Sequence, residues 1–163
     1  MRYGLPYKGS KNAIAEWVVD ILPAADTLVD LFAGGCAVTD CAMRSSKWRH
    51  FIINDIEADV TQLFVDAING KYKDDDRWIS RDTFNLLKGS DPYIRYCWSF
   101  GNNGRDYLYS RELEPYKESM HHLMYASTVK ERRLAYKTCL KELSKYMKAK
   151  GKSIGGGYND NGE

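Results

Sequence analysis

Apolar residues along this chain recur first at helical spacing, then in short runs, then at helical spacing again. Ile14, Trp17, Val18, Ile21 and Leu22 share a face of a helix over residues 11–22, with Ser10 as its N-cap and Pro23 as its stop. Thr27 to Phe32 is a short buried strand. Ala37 to Met43 is the helix that follows a glycine turn. His50-Phe51-Ile52-Ile53-Asn54 is a second strand, running into Asp55. Glu57 to Asn69 is an amphipathic helix with Val60, Leu63, Phe64, Ala67 and Ile68 on one face and Gly70 at its C′ position. Strand–helix–strand–helix with a helix in front predicts a parallel α/β fold.

The pattern changes after Gly70. Asp74-Asp75-Asp76 is a solvated charge run, and Asp82 to Lys88 is a short helix. Tyr93 to Tyr109 is aromatic and polar, with Gly101-Asn102-Asn103-Gly104 as a turn. Glu112 to Tyr125 and Val129 to Ala149 read as helices, the second with Tyr136, Leu140, Leu143 and Met147 as its buried stripe. The organisation expected is therefore an α/β ligand-binding part over 1–70, an aromatic and helical part over 71–150, and a disordered tail over 151–163, rich in Gly, Asn and Asp.

Composition narrows the class. At 163 residues, 44% hydrophobic and 28% charged, the chain is an ordinary globular protein with no apolar run near the ~20 residues of a membrane span. The first residues lack the apolar core of a signal peptide, so a cytosolic protein is expected. Cys36, Cys41, Cys97 and Cys139 have no metal spacing and read as reduced thiols. His121-His122 has no helical partner residue and reads as a surface or packing pair. The net charge of +2 hides a gradient: Ser127 to Lys152 carries nine Lys/Arg against two Glu, so the remainder is at −5. Lys137, Lys141, Lys145 and Lys148 line up along the last helix. A basic segment on an acidic protein points to a polyanion, with these four lysines as its contacts.

Three short sites carry candidate chemistry. The first is Pro6-Tyr7-Lys8-Gly9-Ser10-Lys11, the second Asp30 to Cys36, the third Asn54-Asp55-Ile56. Loops at the carboxyl ends of adjacent parallel strands form one crevice. An acidic residue ~20 positions past a glycine turn commonly accepts from ribose hydroxyls, which is the place of Asp55. Asp30 and the backbone of Phe32 to Gly34 are placed to surround an amino-acid-like group, and Lys11 to meet a carboxylate.

Tyr7-x-Gly9-x-Lys11, Asp30-x-Phe32-x-Gly34-Gly35 and Asn54-Asp55, in this order, resemble the opening motifs of the Dam-like DNA adenine-N6 methyltransferases, with phage-type members the nearest in pattern. The aromatic block from Tyr96 to Tyr109 resembles the region after the third strand in those members. The resemblance implies a partial, Rossmann-like S-adenosylmethionine-dependent methyltransferase sheet followed by a helical C-terminal segment. It implies S-adenosylmethionine as cofactor, with Tyr7, Lys11, Asp30, Phe32, Gly34 and Asp55 as its binding residues, and double-stranded DNA as partner. Cys36 departs from the pattern, since many members carry a third glycine there.

The larger departure is the missing Asp-Pro-Pro-Tyr motif, whose polar head and aromatic ring hold the flipped base. The four prolines stand at 6, 23, 92 and 115, and none are adjacent. Asp91-Pro92-Tyr93 is one proline short, follows no apolar strand, and reads as a plain loop. The expectation is an N-terminal half of such an enzyme, truncated or one half of a split enzyme, with no catalytic residue of its own and inactive unless a second polypeptide supplies the motif. The rival is a non-catalytic DNA- or cofactor-binding module, a prophage remnant or regulator. A third reading is a Rossmann-like protein that binds another nucleotide.

Overall fold

The computed structural model describes residues 3–151; the expected disordered tail lies almost wholly outside them. The chain divides into two compact units, Met1–Leu108 and Tyr109–Glu163.

The first unit is built on one βαβ crossover. β1 (Thr27–Asp30) and β2 (His50–Ile53) pair in parallel with Thr27 opposite His50 and Asp30 opposite Ile53. Between them runs α2 (Ala37–Met43), with the bounds its apolar residues predict. In front lies a 3-10 turn (Asn12–Ile14) leading into α1 (Ala15–Ile21). After β2 comes α3 (Ala58–Ile68), which ends at Asn69; Lys71 N–H returns to the carbonyl of Asp66, so Gly70 stands at C′ as expected. The composition changes after Gly70, but packing continues: Val60 and Leu63 of α3 share a buried cluster with Tyr96.

Several expectations need correction in this unit, beginning with the first strand, which ends at Asp30 and leaves the exposed Leu31 and Phe32 beyond it. Ser10 is not an N-cap; its hydroxyl is buried without a hydrogen-bond partner, and the helix opens through the 3-10 turn. The buried side of α1 is Ala15 and Val19, while Trp17 is 62% exposed and Ile14 and Ile21 also face outward. Small residues face α2 because its own contact residues, Ala37, Cys41 and Ala42, are small and allow close approach. Asp91-Pro92-Tyr93 is not a plain loop. It opens a helix, with Asp91 accepting from the N–H groups of Tyr93 and Ile94 and Pro92 in the first turn.

That helix is α5 (Pro92–Cys97), preceded by α4 (Arg81–Leu87), whose N-cap Ser80 accepts from Thr83 N–H. A second 3-10 turn (Phe100–Asn102) follows, and a single antiparallel bridge joins Ser99 to Tyr107. Phe84 and Ile94 are fully buried, and the Tyr107 hydroxyl donates to the Ile79 carbonyl at 2.7 Å.

The two faces of the sheet differ. Leu28, Phe51 and Ile53 point toward helices, whereas Val29 (52% exposed) and its partner Ile52 (56%) are open. Sheets made only of parallel strands are normally covered on both faces.

The second unit is a helical hairpin of α6 (Glu114–Tyr125) and α7 (Val129–Ala149). A capping box starts α7: Thr128 accepts from Glu131 N–H, and the Glu131 carboxylate accepts from Thr128 N–H. The expected buried stripe shifts by one residue. Cys139 is the buried centre, and Ala135, Leu143, Tyr146 and Met147 are half-buried, while Tyr136 and Leu140 are exposed. Among the described residues no helix is long and apolar enough to cross a membrane.

Candidate functional site

The ends of β1 and β2 lie side by side because the strands are parallel and in register. Two bonds tie the loops that leave them: Ala33 N–H donates to the Asn54 carbonyl at 3.0 Å, and the Asn54 side chain donates to the Leu31 carbonyl at 3.1 Å. Asp55 joins them further. One carboxylate oxygen accepts from Gly34 N–H at 2.7 Å and the other from Glu57 N–H at 3.1 Å. Each oxygen keeps a lone pair for another donor.

The glycine turn is occupied on one side by the chain's own N-terminal segment. Leu5 N–H donates to the Gly35 carbonyl at 2.7 Å, and Gly4 N–H donates to Asp40 at 2.7 Å. A side chain on Gly35 would come within 2.7 Å of Tyr7 Cβ and 2.9 Å of the Leu5 carbonyl oxygen, so glycine there serves this close approach. The Tyr7 ring lies against Gly34. Cys36, at the third glycine position of the expected motif, takes the left-handed conformation at φ 59° that glycine would take freely. It is fully buried, and burial first, then the charges of Asp30, Asp55 and Asp40, push its thiol up to about 12.

The carboxylates around this turn are not equivalent. Asp40 is neutralised by Arg44 at 2.9 Å. Glu57 faces Arg95 at 3.7 Å and accepts from the Tyr96 hydroxyl at 3.1 Å. Asp30 and Asp55 have no ion-pair partner among the described residues. Asp30 accepts from the Thr39 hydroxyl at 2.7 Å through Oδ2, and its Oδ1 takes no hydrogen bond among the described residues. The adjacent strand ends thus carry two uncompensated negative charges, an environment for a cationic ligand.

The structure therefore brings Tyr7, Gly34 and Asp55 into one cluster, with Asp30 at the neighbouring strand end. Phe32 follows Asp30 and is 87% exposed. Lys11 is exposed, and its ammonium donates to the Gly9 carbonyl at 3.2 Å. Two neighbours, named within their segments but not among the binding residues expected from the sequence, also belong here. Ile56, directly after Asp55, is 98% exposed, an apolar surface beside the carboxylate. Tyr96 meets the Tyr7 ring edge-on at 5.7 Å. Burial pushes the Tyr96 phenol up to about 12, with Arg95 opposing and Glu57 adding; burial, then Asp55 and Glu57, raises that of Tyr7. The exposure of Ile56 depends on three-dimensional surroundings, and only its position after a strand-end acid could have singled it out.

On α7 the four candidate lysines are all exposed. Wound at about 100° per residue, Lys137, Lys141 and Lys148 lie opposite the buried Ala135–Cys139–Tyr146 side. Lys130, not singled out by spacing alone, falls on the same line. Lys145 lies off it and is bound to Glu142 at 2.7 Å.

Comparison with known proteins gives one finding. The family model for D12 class N6 adenine-specific DNA methyltransferases matches residues 7–139, which include the glycine turn, Asp55, the aromatic segment and the first half of α7. No curated protein and no solved structure matches the chain. With most of its length under that match, the chain belongs to the D12 class N6 adenine-specific DNA methyltransferase family.

Proposed function

We propose that this chain is the S-adenosylmethionine-binding part of a DNA adenine-N6 methyltransferase, organised as one half of a Rossmann-like sheet. The observation that carries this is the pair of uncompensated carboxylates, Asp30 and Asp55, at adjacent strand ends beside the Tyr7-covered glycine turn. S-adenosylmethionine bears an ammonium and a sulfonium, and supplies an electrophilic methyl group when bound. Asp55 has lone pairs left for ribose hydroxyls, Phe32 and Ile56 offer apolar surface to an adenine ring, and Lys11 is an exposed cation for a carboxylate. The residues present fit the ligand. The protein's part in the reaction is binding and orientation.

A further polypeptide segment, bearing Asp-Pro-Pro-Tyr, completes the enzyme. The open Val29–Ile52 face supports this, as does the use of Asp91 as a helix cap, its Oδ1 accepting from the N–H groups of Tyr93 and Ile94. The rival reading, a non-catalytic module that keeps cofactor and DNA affinity, is favoured by the same missing motif and by the basic line on α7. That line, Lys137, Lys141 and Lys148 with Lys145 at its margin, is proposed to follow DNA phosphates.

Calorimetry with S-adenosylhomocysteine, the demethylated product, is the test of the site. Wild type should bind, and Asp55→Ala should weaken binding tenfold or more; tighter binding of NAD would overturn the cofactor assignment. Incubating the chain with labelled S-adenosylmethionine and mixed-sequence duplex should give no incorporation. Robust labelling would show that no further segment is needed.

A further inference from the structure

Asp30 is held by a residue that the three motifs do not contain. Thr39 lies on α2, is 1% exposed, and donates its hydroxyl to Asp30 Oδ2 at 2.7 Å. A buried threonine on a helix commonly turns its hydroxyl back to the carbonyl one turn earlier. Here it reaches instead from the helix to the end of β1. The threonine hydroxyl has one proton and an ionised carboxylate only accepts, so the direction of the bond is fixed. With Oδ2 engaged, the carboxylate plane is pinned, and Oδ1 is the oxygen without a partner among the described residues.

We infer that Thr39 is a positioning residue that presents Asp30 Oδ1 to the ammonium group of an amino-acid-bearing nucleoside. The inference rests on the functional reading above and deepens it. A single open carboxylate oxygen wants a donor, and a primary ammonium supplies three donors with a full charge. The ribose has its own acceptor in Asp55 at the next strand end, so the two carboxylates divide the ligand between them. Removing the Thr39 hydroxyl leaves Asp30 in place but free to rotate, and the loss falls on the ammonium alone.

Two nucleosides separate these roles. S-adenosylhomocysteine carries the ammonium; 5′-methylthioadenosine keeps the adenosine and thioether but has no amino-acid group. By calorimetry, Thr39→Val should raise the Kd of S-adenosylhomocysteine about fivefold, the effect of one lost hydrogen bond to a charged group's support. Its Kd for 5′-methylthioadenosine should stay within about twofold of wild type, and Thr39→Ser should restore S-adenosylhomocysteine affinity. In an Asp30→Asn background, itself weakened about tenfold toward S-adenosylhomocysteine, Thr39→Val should add nothing. If Thr39→Val does not fold, Thr39→Ala is measured against the same expectations. Unchanged S-adenosylhomocysteine affinity, or equal weakening of both nucleosides, overturns the positioning role while leaving the cofactor assignment intact. Failure of wild type to bind either nucleoside overturns both.

Discussion

The glycine-turn site and the α7 surface solve opposite electrostatic problems by opposite means. The site is assembled from residues far apart in sequence: Tyr7 meets Gly34 and Tyr96, and Asp55 meets Gly34. Its negative charge is concentrated in two half-buried carboxylates, each held by hydrogen bonds. The α7 surface needs only the repeat of a single helix, and its charge is spread over exposed lysines. A small cation requires fixed, convergent acceptors, whereas a polyanion requires spacing along a line. The first is sensitive to single atoms; the second tolerates exchange of one basic residue for another.

Four measurements can break or sharpen that contrast. The largest effect concerns the thiol at the centre of the acidic cluster. Cys36 is raised to about 12 and Cys97 to about 11, from 9.0 in each case. At pH 8 the native Cys36 should carry about a thousandfold less thiolate than an ordinary cysteine, and iodoacetamide should modify it only in urea. Because the unfolded chain ionises these thiols first, the stability they contribute is complete below pH 9.0 and is lost as pH rises toward 12. Melting temperatures measured from pH 8 to pH 11 should fall accordingly; rapid native alkylation would mean the cluster is open.

Next is Gly35→Ala, whose methyl would press on Tyr7 and the Leu5 carbonyl. A loss of about 3 kcal/mol in urea unfolding is expected, and a loss below ~0.5 kcal/mol would show that the N-terminal segment yields easily. On the basic side, Lys137, Lys141 and Lys148 changed together to Gln should lower the slope of log K against log salt by about three units in duplex titrations. Lys145→Gln, removing a lysine bound to Glu142, should change it little; equal effects per lysine would reject the line drawn through α7. The smallest effect is Thr128→Ala, which removes the cap of α7. It should cost about 1 kcal/mol, seen as faster amide exchange in the first turn of α7 with that of β1 and α2 unchanged.

Local signals were legible in the sequence where chemistry and structure coincide in a few consecutive residues. The glycine turn before α2 and the Gly70 end of α3 follow from single-residue conformational preferences. Pro92 was misread because proline both breaks helices and begins them, and only the acidic residue before it distinguishes the two. Periodicity found the helices 11–22 and 129–149 but not their buried sides. Trp17 and Tyr136 are apolar enough to suggest a core, yet the neighbours that settle it, Ala42 for α1 and Ser119 for α7's hairpin partner, are small or polar and lie elsewhere in the chain. Asp30 and Asp55 could be picked out by position. That Asp30 keeps one oxygen open, and that Thr39 holds the other, depends on which way side chains turn at the end of a helix and a strand.

The contact between the N-terminal segment and the glycine turn bears on how relatives of this chain should be read. A Cβ on Gly4 would overlap the Gly35 carbonyl oxygen, and a Cβ on Gly35 would strike Leu5 and Tyr7. The two glycines therefore form one steric constraint imposed by the chain on itself. A descendant that had lost its ligand would still need both in order to fold. Glycine at these two places is accordingly a witness to architecture and a poor witness to activity. Asp55, which accepts from two backbone N–H groups, is in part such a witness too, whereas the acid at 30, bound by a side chain and by no backbone N–H among the described residues, is the better position to compare.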